Sequence, residues 1–262
     1  MNRFFIFGLG YTASRIAVAL EAQGWEVVST GSAGTLRFDD AANVRLALAD
    51  SSHVLSSVPP GADGDRVLEQ YGSALAGKWL GYLSSTGVYG DTGGAWVDES
   101  AQIGGGRRLA RAEADAEWLD RGARVLRLPG IYGPGRSALE RVRDGAARMI
   151  DVPDQVFSRV HVDDIVQGCT RVLKAAQGAY NLADDQPTSQ NVVIKAASSL
   201  LGMAPPPLKS LDEAQLSPMA RGFYAENRRV ANGKAKRVLG WQPRYPTYRE
   251  GLLACLAALR DQ

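Results

Sequence analysis

The first arrangement in the chain that could do chemistry is a glycine turn. Gly8-Leu9-Gly10-Tyr11-Thr12-Ala13 follows the apolar run 4–7 and precedes a helix-forming segment, residues 13–23. In a strand–turn–helix setting this Gly-x-Gly-x-x-Ala spacing suits the pyrophosphate of a dinucleotide. Gly8 allows the tight turn, Gly10 lets backbone approach the phosphates, and Ala13 keeps the helix close to the strand. Tyr11 and Thr12 stand at the helix start, where unpaired N–H groups and the positive end of the helix dipole meet an anion. The bland alternative is a glycine-rich turn that binds nothing. In a chain with 29 glycines, only the flanking strand and helix argue against it.

The end of the second expected strand bears on which nucleotide is taken. An NAD site places Asp or Glu there to accept hydrogen bonds from the ribose 2′-hydroxyl. Here the strand ends Val28-Ser29-Thr30-Gly31-Ser32, with no carboxylate. Nothing repels a 2′-phosphate, and Thr30 and Ser32 could donate hydrogen bonds to one. The nearest downstream cation, Arg37, comes late for that task. The pattern favours NADP over NAD. Ser57, Val58 and Pro59 end another strand and should lie on the lip where ligands bind in such sheets.

These residues need a scaffold that brings strand ends together. Strand patterns at 3–7, 25–30, 35–38, 53–57, 79–84 and 124–128 alternate with helical patterns at 41–50, 65–76 and 107–121. That alternation implies βαβ units and an α/β fold, a doubly wound parallel sheet of the Rossmann type. Further helices are expected at 162–176, 190–201 and 232–239. The expected organisation is a nucleotide-binding core over about 1–150, rejoined by 156–182. A small C-terminal substrate lobe would take about 136–155 and 183–262.

Composition sets the outer limits. The chain has 262 residues, 45% hydrophobic and 22% charged, with a net charge of +2. That balance argues against nucleic acid or an anionic membrane surface as partner. No apolar run reaches the length of a membrane-spanning helix. A first strand at residue 3 leaves no room for a signal peptide, so a cytoplasmic location is expected. Cys169 and Cys255 sit far apart in apolar segments and read as reduced packing residues. The two histidines, His53 and His161, belong to no ligand cluster, so no metal is expected.

Several further segments, taken in order, resemble the extended short-chain dehydrogenase/reductase family of nucleotide-sugar epimerases and dehydratases. Residues 83–90, Leu-Ser-Ser-Thr-Gly-Val-Tyr-Gly, look like its Ser-Ser-x-x-Val-Tyr-Gly strand end. Arg127-Leu-Pro-Gly-Ile-Tyr-Gly-Pro-Gly135 looks like its Arg-x-x-x-x-Tyr-Gly-Pro-Gly loop. Residues 159–165 resemble its Val-His-Val-Asp-Asp segment, 179–182 its Tyr-Asn-Leu strand, and 234–243 its Lys-Ala-x-x-x-Leu-Gly-Trp-x-Pro. With the glycine turn, the set spans nearly the whole chain.

The resemblance implies hydride transfer between NAD(P) and a hydroxyl or carbonyl on a small molecule, a nucleotide sugar or another carbonyl or alcohol. It implies that Ser85 positions the substrate oxygen, that Asp39 contacts the adenine amine, and that Pro129 and Ile131 join the cofactor set. Ser85 could equally be a strand-end cap, and Asp39 a helix N-cap. The family's catalytic Tyr-x-x-x-Lys is missing. Arg107 stands in the Tyr place and Arg111 in the Lys place. A guanidinium stays protonated and cannot replace the phenol as general acid or base. Arg107 could bind an alkoxide, carboxylate or phosphate, and Arg111 could keep the ribose contact. Both could also be a solvated helix face. Tyr89 and Tyr132 are the remaining candidate acids, with a lowered pKa as the form to look for. The alternative to an enzyme is an NADP-binding sensor that has lost its chemistry. A homodimer through the helices at 65–76 and 107–121 follows the family pattern.

Overall fold

The computed structural model of the chain describes residues 3–106 and 109–260. The first strand, β1 (Arg3–Phe7), buries Phe4, Phe5, Ile6 and Phe7. Side chains alternate across a strand, so Phe4 and Ile6 join one core while Phe7 and Phe5 join the other. Both faces are covered, which is why the opening run is continuously apolar.

The chain continues through α1 (Tyr11–Glu21), β2 (Glu26–Ser29), α2 (Ala41–Ala49), β3 (His53–Ser56), α3 (Arg66–Tyr71) and β4 (Trp79–Ser85). Then come β5 (Trp96–Val97), α4 (Leu109–Asp120), β6 (Arg124–Leu128), β7 (Gly130–Tyr132), α5 (Ala138–Arg143) and β8 (Met149–Ile150). β9 (Arg159–His161), α6 (Val162–Val172) and β10 (Gly178–Asn181) lead back to the sheet. The central sheet has six strands in the order β10-β6-β4-β3-β1-β2, all parallel. Helices α1 and α6 cover one face, and α2, α3 and α4 the other. The order reverses between β1 and β3, which marks the crevice for a ligand at the strands' carboxyl ends.

Two expected elements differ. Residues 35–38 form no strand: Thr30 and Leu36 make an isolated bridge, and β2 is the sheet edge. Leu36 and Phe38 still pack on the second core. The helix expected at 65–76 starts as read, with Asp65 capping the Val67 and Leu68 N–H groups. At Gly72 it tightens into a 3₁₀ turn, Gly72–Leu75.

After β10 come α7 (Gln190–Leu201), β11 (Leu208–Lys209), α8 (Pro218–Phe223), β12 (Arg229–Val230), α9 (Gly233–Leu239) and α10 (Tyr248–Arg260). Leu139 and Val142 of α5, Val193, Ile194 and Ala197 of α7, and Tyr248, Leu252 and Cys255 of α10 make a third core. Helix α9 lies elsewhere: Ala235, Leu239 and Trp241 pack with α1 and α6 on the sheet, and the Trp241 indole donates to the Asp164 carbonyl at 3.0 Å. No helix is long and apolar enough to cross a membrane among the described residues.

Candidate active site

The parallel register pairs Phe7 with Ser56, and Ser85 with Leu128, at the carboxyl ends of the strands. Along those ends opens a cleft of about 1270 Å³. Gly10, Tyr11, Thr12 and Ala13 line it at the α1 end, with Ser57 and Pro59 beside them. Ser85, Thr86 and Arg111 line its middle, and Pro129, Ile131, Tyr132 and Arg159 its far wall.

The glycine turn is built by sterics and backbone bonds. Gly8 has φ +83°, the left-handed region where a side chain is strained. Its N–H donates to both oxygens of Thr30, at 3.1 and 3.2 Å, and the Leu9 N–H to the Thr30 carbonyl at 2.8 Å. Gly10 caps α1 with no side-chain partner, and no acidic residue follows in the first turn. Its chain neighbours aside, a Cβ on Gly10 would meet no atom of the described residues within 4 Å, and Gly10 lines the open cleft. The first-turn N–H groups of α1, at a helix N-terminus open to the cleft, fit a pyrophosphate.

Other cofactor candidates fall outside the cleft lining. Thr30 is buried, and its hydroxyl oxygen accepts from the Gly8 N–H in the glycine turn. Ser32 is exposed. Asp39 is exposed and lies 3.6 Å from Arg66. Val58 packs against Gly8, whose carbonyl accepts from the Ser57 hydroxyl.

Ser85 both caps and faces the cleft: its Oγ accepts from the Gly87 N–H at 3.1 Å. Tyr89 is corrected by the structure. Its hydroxyl donates to Asn181 Oδ1 at 2.7 Å and accepts from Arg127 at 3.0 Å, buried and away from the cleft. Burial pushes its pKa up, opposite to what a proton donor needs. Arg127 in turn pairs with Asp115 through two bonds, 2.7 and 3.1 Å, and Ser84 donates to the same carboxylate at 2.6 Å. This buried network fixes α4. Arg111 lies one turn before Asp115 on that face, and its guanidinium donates to the Tyr82 hydroxyl at 2.8 Å. Burial also raises the Tyr82 pKa. Arg107 lies outside the described residues.

His161 is fully buried between the sheet and the third core. Its Nδ1 accepts from the Asp163 N–H at 3.2 Å, and its Nε2 lies 3.8 Å from Cys255 Sγ. Burial pushes its pKa down to about 4, leaving a neutral structural ring. Among the described residues no group of three potential ligands could hold a metal ion.

Comparison with known proteins gives this geometry its context. No family profile matches the sequence. A conserved protein of unknown function from Silicibacter pomeroyi DSS is 37% identical, with a TM-score of 0.88 over 98% of this chain and 99% of that one. The dTDP-glucose 4,6-dehydratase of Bacillus anthracis, solved with NAD, superposes with a TM-score of 0.77 at 15% identity, over 100% of this chain and 97% of that one. The UDP-glucose 4-epimerase of Thermotoga maritima, solved with UDP-glucose, gives 0.76 at 18%, over 99% of each. The chain shares the fold of these NAD-dependent epimerases and dehydratases.

Among curated relatives, Protein YeeZ of Escherichia coli K12 is 28% identical over 94% of this chain and 97% of its own length. A 3-diazoavenalumate denitrifying reductase of a Streptomyces species is 32% identical over 54% of this chain and 51% of its own. Sequence reasoning passed over Arg159, Thr86 and Glu226, which also line the cleft. Arg159 is a charged residue in the short strand Arg159–His161, all three residues of which are buried. Arg228 also lines the cleft and pairs with Glu226 at 2.9 Å.

Proposed function

We propose that this chain is an NADP-dependent oxidoreductase that exchanges hydride with a hydroxyl- or carbonyl-bearing small molecule. One observation supports it above the others: a single cleft joins the open Gly10 cradle to Ser85, Arg111 and the wall of β7 and β9. Cofactor and substrate would share that opening. The nicotinamide, when bound, supplies the hydride chemistry. The backbone N–H groups at the start of α1 would hold the pyrophosphate, and Ser57 and Pro59 would border the dinucleotide. Ser85 would orient the substrate oxygen with its hydroxyl proton. Arg111, fixed through Tyr82, would hold the ribose and stabilise negative charge on that oxygen. In the direction of reduction, solvent in the open cleft would supply the proton. The absence of a carboxylate at the end of β2 favours NADP over NAD. The epimerase and dehydratase neighbours are named for nucleotide sugars, so that class and simpler carbonyls both belong in a substrate screen.

A second reading is a nucleotide-responsive sensor. What favours it is that Tyr11, Tyr132 and Tyr224, phenols of the cleft lining, all have pKa values raised by burial. Titration with NADPH and NADH, read by nicotinamide fluorescence, tests the cofactor site. The oxidoreductase reading expects micromolar NADPH, weaker NADH, and turnover of some carbonyl that Ser85→Ala removes while NADPH still binds. Tight NADPH binding with no turnover over a broad carbonyl panel would shift the assignment to the sensor. Failure of both nucleotides to bind would overturn both readings.

A further inference from the structure

At the wall formed by β7 and β9, three buried polar atoms lack hydrogen-bond partners among the described residues: Arg159 Nη1, the Tyr132 hydroxyl and Asp184 Oδ2. Arg159 and Tyr132 line the cleft. Arg159 is 6% exposed. Its Nη2 donates to the Thr188 carbonyl at 3.1 Å. Asp184 adjoins it, with its N–H donating to the Arg159 carbonyl at 2.7 Å, and the two side chains interact electrostatically without a hydrogen bond between them. The Tyr132 ring is held edge-on to His161, 5.2 Å between centroids, and its hydroxyl packs on Gly251 of α10, where a Cβ would not fit. Buried donors are normally paired, so two orphan donors on residues that line the cleft call for an acceptor from outside.

We propose that this wall recognises a carboxylate carried by the substrate, with Arg159 Nη1 and the Tyr132 hydroxyl as its donors. The assignment deepens the oxidoreductase reading and rests on it for the word substrate. A carboxylate accepts from two donors at once, and a guanidinium is the strongest side-chain partner for it. The adjacent Asp184 carboxyl disfavours a doubly charged phosphoryl group more than a singly charged carboxylate. A carboxylate held here leaves the rest of the molecule in the same cleft as Ser85 and Arg111.

The test uses the full chain, free and saturated with NADPH, titrated with malonate, with neutral malonamide and with inorganic phosphate at constant ionic strength. Calorimetry and thermal shift read binding. Malonate is expected to bind and to raise the melting temperature, with malonamide inert and phosphate weaker. Tyr132→Phe removes a hydroxyl with no hydrogen-bond partner among the described residues, so folding should be kept while malonate binding weakens about tenfold. The paired variant Arg159→Gln with Asp184→Asn should abolish malonate binding and leave NADPH binding intact. Equal behaviour of malonate and malonamide would overturn the proposal. So would phosphate binding without malonate, or unchanged malonate binding in Tyr132→Phe. NADPH binding without malonate binding refutes this site alone. Loss of nucleotide binding refutes the oxidoreductase reading, and malonate titration of the free protein still decides the carboxylate site.

Discussion

The Asp115–Arg127 pair should be the most expensive polar contact in the molecule to break from one side. Its side chains are 0% and 3% exposed, and two bonds of 2.7 and 3.1 Å join them. Asp115→Ala would leave a buried guanidinium with only the Tyr89 hydroxyl, and would strip Ser84 of its acceptor. Removing one partner of such a pair costs about 3–5 kcal/mol, and an orphaned hydroxyl adds about 1 kcal/mol. Against a typical total of about 5–15 kcal/mol, that is a large share. Urea denaturation followed by tryptophan fluorescence measures it, because Trp118 of the same helix stacks on Tyr82 at 5.3 Å. Replacing both groups, Asp115→Leu with Arg127→Met, should cost much less than the sum of the single changes, since no charge is left unpaired. NADPH affinity should drop in Asp115→Ala, because the pair holds the α4 face that carries Arg111. A single-variant cost below about 1 kcal/mol, or additive costs in the double variant, would refute the account of α4 as anchored by this pair.

Gly10→Ala should leave thermal stability unchanged, since the added Cβ, its chain neighbours aside, meets no atom of the described residues, while NADPH binding weakens about tenfold or more; equal binding would remove the pyrophosphate from this turn. Gly251→Ala should destabilise by about 1–3 kcal/mol, because the Tyr132 phenol occupies the space of the new methyl; chemical denaturation checks it. Burial raises the Asp184 pKa from 3.8 to about 7. The unfolded chain therefore ionises first, and this group alone makes stability fall as pH rises from about 4 to 7; Asp184→Asn should remove that slope in urea midpoints taken across the range. His161 acts in the opposite sense. Burial lowers its pKa from 6.5 to about 4, so its contribution is present above pH 6.5 and lost as pH falls towards 4. A His161→Gln variant should lose that acid sensitivity in the same series.

What could be read from the sequence was set by local rules. The turn at Gly8 and Gly10 needs only backbone sterics and the strand before it. Helix α7 ran as expected because Ser189 caps the Val192 N–H and Gly202 closes it with φ +65°. Helix α10 carried a comparable signal that went unread: Thr247 and Glu250 form a reciprocal cap, with the Thr247 N–H on the Glu250 carboxylate at 3.0 Å. The site differs because its decisive partners are distant in the chain. Tyr89 is disqualified as an acid by Arg127 and Asn181, 38 and 92 residues away. Arg159 gains its meaning from Tyr132, Asp184 and Gly251, which only the meeting of β7, β9 and α10 brings together. A motif can therefore locate the cofactor cradle, because one turn builds it. The far wall belongs to no single segment, and its chemistry becomes visible only as unpartnered atoms in the assembled fold. Substrate choice in this chain should accordingly respond to changes at that wall while the glycine turn and its nucleotide remain untouched.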